Sequence, residues 1–189
     1  HPNANVGGAS IVIIPEYKKA DTSLLSMGIR LCSVDTVRGA QNSQDPRLNT
    51  LSKINCIFGC LEAAEKGFDE GIMLDINGNV STCNSTNFFI VKNREVWTST
   101  GEFCLPGITR GNIINLCKEN NIPVFEKDFI MEDVYSADEV FVTGTFAGVI
   151  PVIEVDETTF GNDGCGKLTR ELYSLYKSKI ATLYPEDQN

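Results

Sequence analysis

The sequence predicts a mixed α/β (α+β) domain in which helices flank a curved, mostly antiparallel sheet. Three observations carry this expectation. Short apolar or alternating runs recur through the centre of the chain, punctuated by the hairpin signal Asn77-Gly78. Longer stretches on either side repeat their apolar residues at helical spacing. Strands and helices follow one another without the regular βαβ rhythm of a parallel sheet.

Taken in order, residues 10–14 (SIVII) form a continuous apolar run, which predicts a buried strand ended by Pro15. Residues 28–34 (GIRLCSV) alternate and predict the next strand, and 39–47 (GAQNSQDPR) form a turn-rich connection. A helix is expected from Ser52 to a stop at Gly67, with Ile54, Ile57, Phe58 and Leu61 on one apolar face. Strands follow at 71–74, 79–81, 88–92 and 95–98, joined by turns at Asn77-Gly78 and Asn93-Arg94. Thr109 is expected to cap a helix running to about Asn120, with Ile113, Ile114 and Cys117 inward. Residues 123–129 predict a strand and 131–137 a short helical turn. Strands at 140–143 and 150–155 enclose the small-residue turn GTFAG, 144–148. A last helix over about 166–183 buries Leu168, Leu172, Leu175 and Ile180.

A chain of 189 residues suits one domain with a sizeable core. Its 42% hydrophobic and 22% charged residues are those of a soluble globular protein. No apolar run reaches the roughly 20 residues of a membrane span. A net charge of -9 argues against nucleic acid and anionic membrane surfaces, which demand basic patches. The seven cysteines are scattered and odd in number, which predicts free thiols in a reducing compartment, the cytoplasm. Cys56 and Cys60 could share a helix face, but with a single histidine in the chain no metal site is expected. No signal-peptide pattern is seen and the first residue is His1, so a natural start is not expected there.

The most informative short stretch is Leu105-Pro106-Gly107-Ile108-Thr109-Arg110. A glycine turn that runs into a helix exposes backbone N–H groups, and the helix dipole favours an anion there. A second candidate anion cradle is Thr143-Gly144-Thr145, a strand end carrying two hydroxyls. An ordinary capped helix and an ordinary strand-end turn explain either motif taken alone.

The strings DPRLNTLSKIN, EAAEKGFDEGIMLDINGNVS, STNFFIV, LPGITR, IPVFEKDF, ADEVFVTGT and PVIEVD occur in this order along nearly the whole chain. Together they resemble the large domain of class IV (fold type IV) pyridoxal-phosphate aminotransferases. That family includes branched-chain and D-amino acid aminotransferases and aminodeoxychorismate lyases. The resemblance implies a pseudo-barrel fold, a cytoplasmic homodimer, pyridoxal 5'-phosphate as cofactor, and a small, branched-chain-like amino acid and a 2-oxo acid as substrates. It also implies that 1–189 is the C-terminal large domain alone, with the family's smaller N-terminal domain absent. Ile108 and Thr109, with Gly144 and Thr145, match the positions that hold the cofactor phosphate. Asn87 matches the asparagine after the strand that contacts the pyridine ring.

Two positions depart from the family pattern. The family's R-x-K-T-L becomes Arg47-Leu48-Asn49-Thr50-Leu51, so Asn49 stands where the Schiff-base lysine belongs. Thr82 stands where the family has a glutamate facing the pyridine nitrogen. An amide cannot bond the cofactor or move a proton, and a hydroxyl holds a pyridinium less well than a carboxylate does. Ordinary catalysis is therefore doubtful, and cofactor binding is expected to be non-covalent. Two alternatives stay open: a non-catalytic module that binds cofactor or anion, and an enzyme using Lys53, four residues on, as a relocated lysine. Arg38 and Arg47 are candidates for anion contacts, with loop anchoring as the plainer role.

Overall fold

The computed structural model describes Gly8 and residues 10–17, 23–161 and 164–185. In chain order the elements are α1 (Leu24–Met27), β1 (Ile29–Ser33), α2 (Ile54–Glu65), β2 (Glu70–Leu74), β3 (Val80–Cys83), β4 (Asn87–Lys92) and β5 (Glu95–Thr98). Then come α3 (Ile108–Glu119), β6 (Val124–Glu126), α4 (Met131–Tyr135), β7 (Glu139–Gly144), β8 (Gly148–Val155), β9 (Thr158–Thr159) and α5 (Lys167–Leu183). The strands form one sheet in the order β3-β2-β1-β8-β7-β4-β5-β6, with β9 on β8. Most pairings are antiparallel, as predicted; β1 runs parallel to β2 and β8, and β5 parallel to β6.

Hydrogen bonds near its two ends curl this sheet into a half-barrel. Val80 N donates to Phe129 O at 2.8 Å, and Ser99 Oγ donates to Ser81 O at 2.7 Å. Ser81 Oγ in turn donates to Phe103 O at 3.0 Å. The inner surface holds Leu31, Ile72, Phe88, Ile90, Val142 and Val152, packed with Phe129 and Val134. The opposite face of β4, β7 and β8 packs Phe89, Phe141 and Val149 against Ile113 and Cys117 of α3 and Leu168, Leu172 and Tyr176 of α5. The rings of Phe89 and Phe141 stack at 4.8 Å, because β4 and β7 place them directly opposite each other.

Local chemistry explains the turns. Gly78 has φ +86° and Asn93 and Arg94 have φ +53° and +63°, so both predicted hairpin turns use the left-handed region. Gly67, φ +78°, ends α2 as its sequence position foretold.

Several expectations are corrected. Residues 10–14 form no strand and are uncovered: Ile11, Ile13 and Ile14 are each 84% exposed. An apolar run becomes a buried strand only where a partner edge covers it, and none of the described residues does so. Helix α2 begins at Ile54, not Ser52, and its stripe of Ile54, Ile57, Phe58 and Leu61 is about half exposed. The buried face is instead Gly59 and Ala63, because two glycines bring helix and sheet close together. A Cβ on Gly71 would stand 2.8 Å from Gly59 O, and one on Gly59 would stand 3.3 Å from the Met73 sulfur. Gly107, not Thr109, is the N-cap residue of α3, and β6 covers 124–126 of the predicted 123–129. Leu175 and Ile180 are partly buried, with Tyr176 the deeper residue.

Candidate functional site

A cleft of about 450 Å³ opens between the 38–56 segment and the loop joining β3 to β4. Asn49, Lys53, Thr82 and Asn87, four residues singled out in the sequence, line it together with Arg38 and Leu105. Asn49 lies before α2 and Lys53 is its N-cap residue. Lys53 Nζ donates to Asn49 Oδ1 at 2.9 Å, so the amide and the ammonium occupy the same corner.

Thr82 is 5% exposed, and its hydroxyl donates to Thr86 O at 2.7 Å, closing the loop from Thr82 to Thr86. The proton is thus committed, and the oxygen can serve the cleft as an acceptor alone. The loop is braced from below by Glu70, which accepts from Ser85 Oγ at 2.7 Å and Thr86 Oγ1 at 2.8 Å. Burial pushes the Glu70 carboxyl up from its ordinary value, and the two hydroxyls partly offset that rise. A raised folded-state value favours the protonated acid, so Glu70 stabilises the fold most below pH 4.5. That contribution is lost as pH rises through the raised value. Denaturant titrations at successive pH values are expected to show wild type losing stability relative to Glu70→Gln across this window. Parallel curves for the two proteins would remove Glu70 as the titrating brace.

Asn87 joins the two candidate anion cradles. It is 8% exposed, and its Nδ2 donates to Leu105 O at 3.0 Å, which holds the turn that leads into α3. A Cβ on Gly107 would overlap the Asn87 side-chain oxygen, so the turn needs glycine at this position. The first intrahelical bond is Gly111 N to Gly107 O at 2.9 Å, so the N–H groups of Ile108, Thr109 and Arg110 precede the helical ladder. Thr109 is buried in that first turn and Ile108 is exposed. On the other side, Asn87 pairs with Thr143 at the end of β7, and Gly144 lies against Thr86. The structure thus brings the Leu105–Arg110 turn and the Thr143-Gly144-Thr145 turn to Asn87, and of the residues in these two turns only Leu105 lines the cleft with Asn49 and Lys53. Thr143 Oγ1 is one of two buried side-chain polar atoms without a partner among the described residues, the other being Arg110 Nε. Thr143 itself pairs with Asn87, whose side chain holds the turn into α3, so this orphaned hydroxyl lies one residue pair from that turn.

Arg47 takes the plainer of its two roles, pairing with Asp45 at 2.8 Å on the surface. Arg38 also anchors, but from within the cleft wall, where it is buried and donates to Phe103 O, Asn55 Oδ1 and Cys56 Sγ. Sequence reasoning also missed Glu70, Ser85 and Thr86, because their grouping depends on strand register rather than spacing. Among the described residues no group of His, Cys, Asp and Glu could hold a metal, and no helix is long and apolar enough to cross a membrane.

A family model described as amino-transferase class IV matches residues 3–155. The chain belongs to the class IV aminotransferase family. Branched-chain-amino-acid aminotransferase-like protein 2 of Arabidopsis thaliana is 33% identical over 93% of this chain and 31% of its own length. A putative branched-chain-amino-acid aminotransferase of Methanocaldococcus jannaschii is 36% identical over 79% of this chain and 52% of its own. Among solved class IV relatives, a branched-chain aminotransferase from Thermoproteus uzoniensis with norvaline superposes with TM-score 0.79 at 29% identity, covering 89% of this chain and 56% of that one. An aminotransferase from Brucella abortus bound to the co-factor PLP gives TM-score 0.76 at 28% identity, covering 88% and 56%. The chain thus spans from about a third to about half the length of the curated relatives cited here.

Proposed function

We propose that this chain is the cofactor-holding large domain of a class IV protein descended from enzymes that move an amino group between a small, branched-chain-like amino acid and a 2-oxo acid. In this reading it binds pyridoxal 5'-phosphate without a covalent link and does not transaminate by the ordinary route. The observation that supports the reading is that Asn49 and Thr82 line one cleft with Asn87, whose side chain holds the turn leading into α3 and whose backbone pairs with Thr143. At the phosphate end, the open N–H groups of Ile108 and Thr109, the Thr109 hydroxyl and the Gly144-Thr145 turn would hold the cofactor phosphate, with Asn87 positioning the turn. The orphaned hydroxyl of Thr143, the strand partner of Asn87, is consistent with the fit.

When bound, pyridoxal phosphate supplies a carbonyl carbon that takes up an amino group and a ring that withdraws electrons. The residues facing that chemistry supply little of what it needs. The Asn49 amide has a delocalised lone pair, so it neither attacks a carbonyl carbon nor carries a proton. Thr82 offers an acceptor oxygen without charge.

A second reading has its own support: the Lys53 ammonium stands 2.9 Å from the Asn49 amide, at the corner where the family's lysine would be. Borohydride treatment of the cofactor-loaded protein, followed by peptide mass mapping, separates the two. No adduct is expected; a reduced adduct on Lys53 would establish a relocated lysine and overturn the silent site. Thr109→Val tests the phosphate end, and is expected to weaken cofactor binding by about 1–3 kcal/mol, the value of a charge-assisted hydrogen bond. Unchanged affinity would remove the cradle.

The remaining parts of the reading are that the other wall of the substrate site lies outside these residues, and that the protein is a cytoplasmic homodimer. Free thiols throughout the chain favour the compartment. The uncovered apolar stripe of α2 favours an assembly.

A further inference from the structure

We propose that Arg38 is a carboxylate-recognition residue in the wall of the cleft, distinct from the phosphate cradle at Thr109 and Thr145. Arg38 is 8% exposed, and the protein acceptors of its guanidinium are all neutral. Nε donates to Phe103 O at 3.2 Å, and Nη1 donates to Asn55 Oδ1 at 3.3 Å and to Cys56 Sγ at 2.8 Å. Among the described residues no carboxylate forms an ion pair with it, whereas the other deeply buried arginine, Arg110, has Glu126 at 2.9 Å. A buried cation without a counter-ion is strongly unfavourable, because desolvation is not repaid by any opposite charge.

Nη2 of Arg38 has no acceptor, yet it is not among the enclosed orphan atoms, so it keeps surface open beside the cleft that Arg38 lines. Nε and Nη1 are thus committed, the two Nη2 hydrogens are free and one positive charge is uncompensated, which suits a contact from Nη2 to a single carboxylate oxygen. The fork is held in place from behind. Asn55 accepts from Nη1 while its own Nδ2 donates to Val37 O at 2.8 Å, and Arg38 N donates to Leu74 O at 2.8 Å. The cleft is cationic in a chain of net charge -9: Lys53 adds a second positive group, and the one lining acid, Asp45, is taken by Arg47. A small aliphatic acid would place its carboxylate on Arg38 and its chain along the cleft toward Leu48 and Leu105.

Occupation of Arg38 does not require the cofactor, so the test uses the cofactor-free 189-residue chain. The probe is 4-methylvalerate, with the uncharged 4-methylvaleramide as control, each titrated by calorimetry or ligand-observed NMR. Wild type is expected to favour the acid over the amide by about tenfold or more, the weight of one charge-assisted hydrogen-bond pair. Arg38→Met should abolish that preference, and Arg38→Lys should reduce it several-fold, because an ammonium keeps the charge but loses the anchors at Phe103 O and Asn55 that hold the guanidinium in place. Thr109→Val should leave it intact, whatever that variant does to pyridoxal phosphate. Equal binding of acid and amide by wild type would overturn the proposal. So would loss of the preference in Thr109→Val, which would place the carboxylate at the helix end instead. Should Arg38→Met fail to fold, Arg38→Lys decides alone, and an unchanged preference in it overturns the proposal.

Discussion

Replacing Asn49 with lysine is expected to turn non-covalent cofactor binding into a covalent link that borohydride fixes to residue 49. The amide at this position already sits in the cleft, 2.9 Å from the Lys53 ammonium. A lysine introduced there would stand beside a like charge, which favours its neutral, nucleophilic form. The readout is large, from no reduced adduct to a stoichiometric one, seen by absorbance and by mass mapping. Turnover is expected to stay low in Asn49→Lys, because Thr82 supplies no charge to the ring. The double variant with Thr82→Glu should exceed it by about tenfold or more in a protein that has the complete substrate site, the scale on which one acid–base or charge partner acts. An adduct on Lys53 in the wild type, or none on residue 49 in the variant, would defeat the assignment of Asn49.

Truncation of Glu139 is expected to give a large loss of stability at a site remote from the cleft. Glu139 begins β7, yet its carboxylate reaches the N-terminus of α5, accepting from Leu168 N at 3.0 Å and from Thr169 N and Thr169 Oγ1 at 2.8 Å. It takes the role of the missing N-cap side chain, since the residue at the cap is Gly166. That glycine is required, because a Cβ there would overlap the Glu139 carboxylate. Glu139→Ala leaves two helix N–H groups and the buried Thr169 hydroxyl without an acceptor, at about 3 kcal/mol. That is a sizeable part of the roughly 5–15 kcal/mol that holds a domain together. Glu139→Gln should recover part of the loss by keeping an acceptor oxygen. Urea denaturation checks both, and a loss below about 1 kcal/mol in the alanine variant would show the cap to be dispensable.

Much of the fold was legible in the sequence wherever local chemistry decides. Asn77-Gly78, Asn93-Arg94 and the Gly67 stop were readable because positive φ belongs to few residue types. The strands of the centre were readable because they are buried on both faces and so run apolar. The apolar face of α2 was misjudged for the converse reason. Periodicity identifies a helix, but it cannot say which face meets the sheet when two glycines allow close approach on the other side. The run at 10–14 failed likewise, since hydrophobicity names a surface that needs cover and not what covers it.

By itself the sequence determined the family, the glycine turns at Gly107 and Gly144, and the residue types at Asn49 and Thr82 on which the proposed exchanges rest. These are matters of residue type at a fixed spacing, and both motif and backbone chemistry reside in a few consecutive residues. The tertiary structure alone decided that both turns flank Asn87, that Glu70 braces the cleft loop, that Glu139 caps α5, and that Arg38 stands buried without a carboxylate. Each of these joins groups far apart in the chain, and the pairing register of the curled sheet sets their separation. A register shift of one residue would turn Glu70, Asn87 and Glu139 to the opposite face, and Arg38 depends on where the loop at Phe103 and helix α2 are docked, so no local pattern could have placed them.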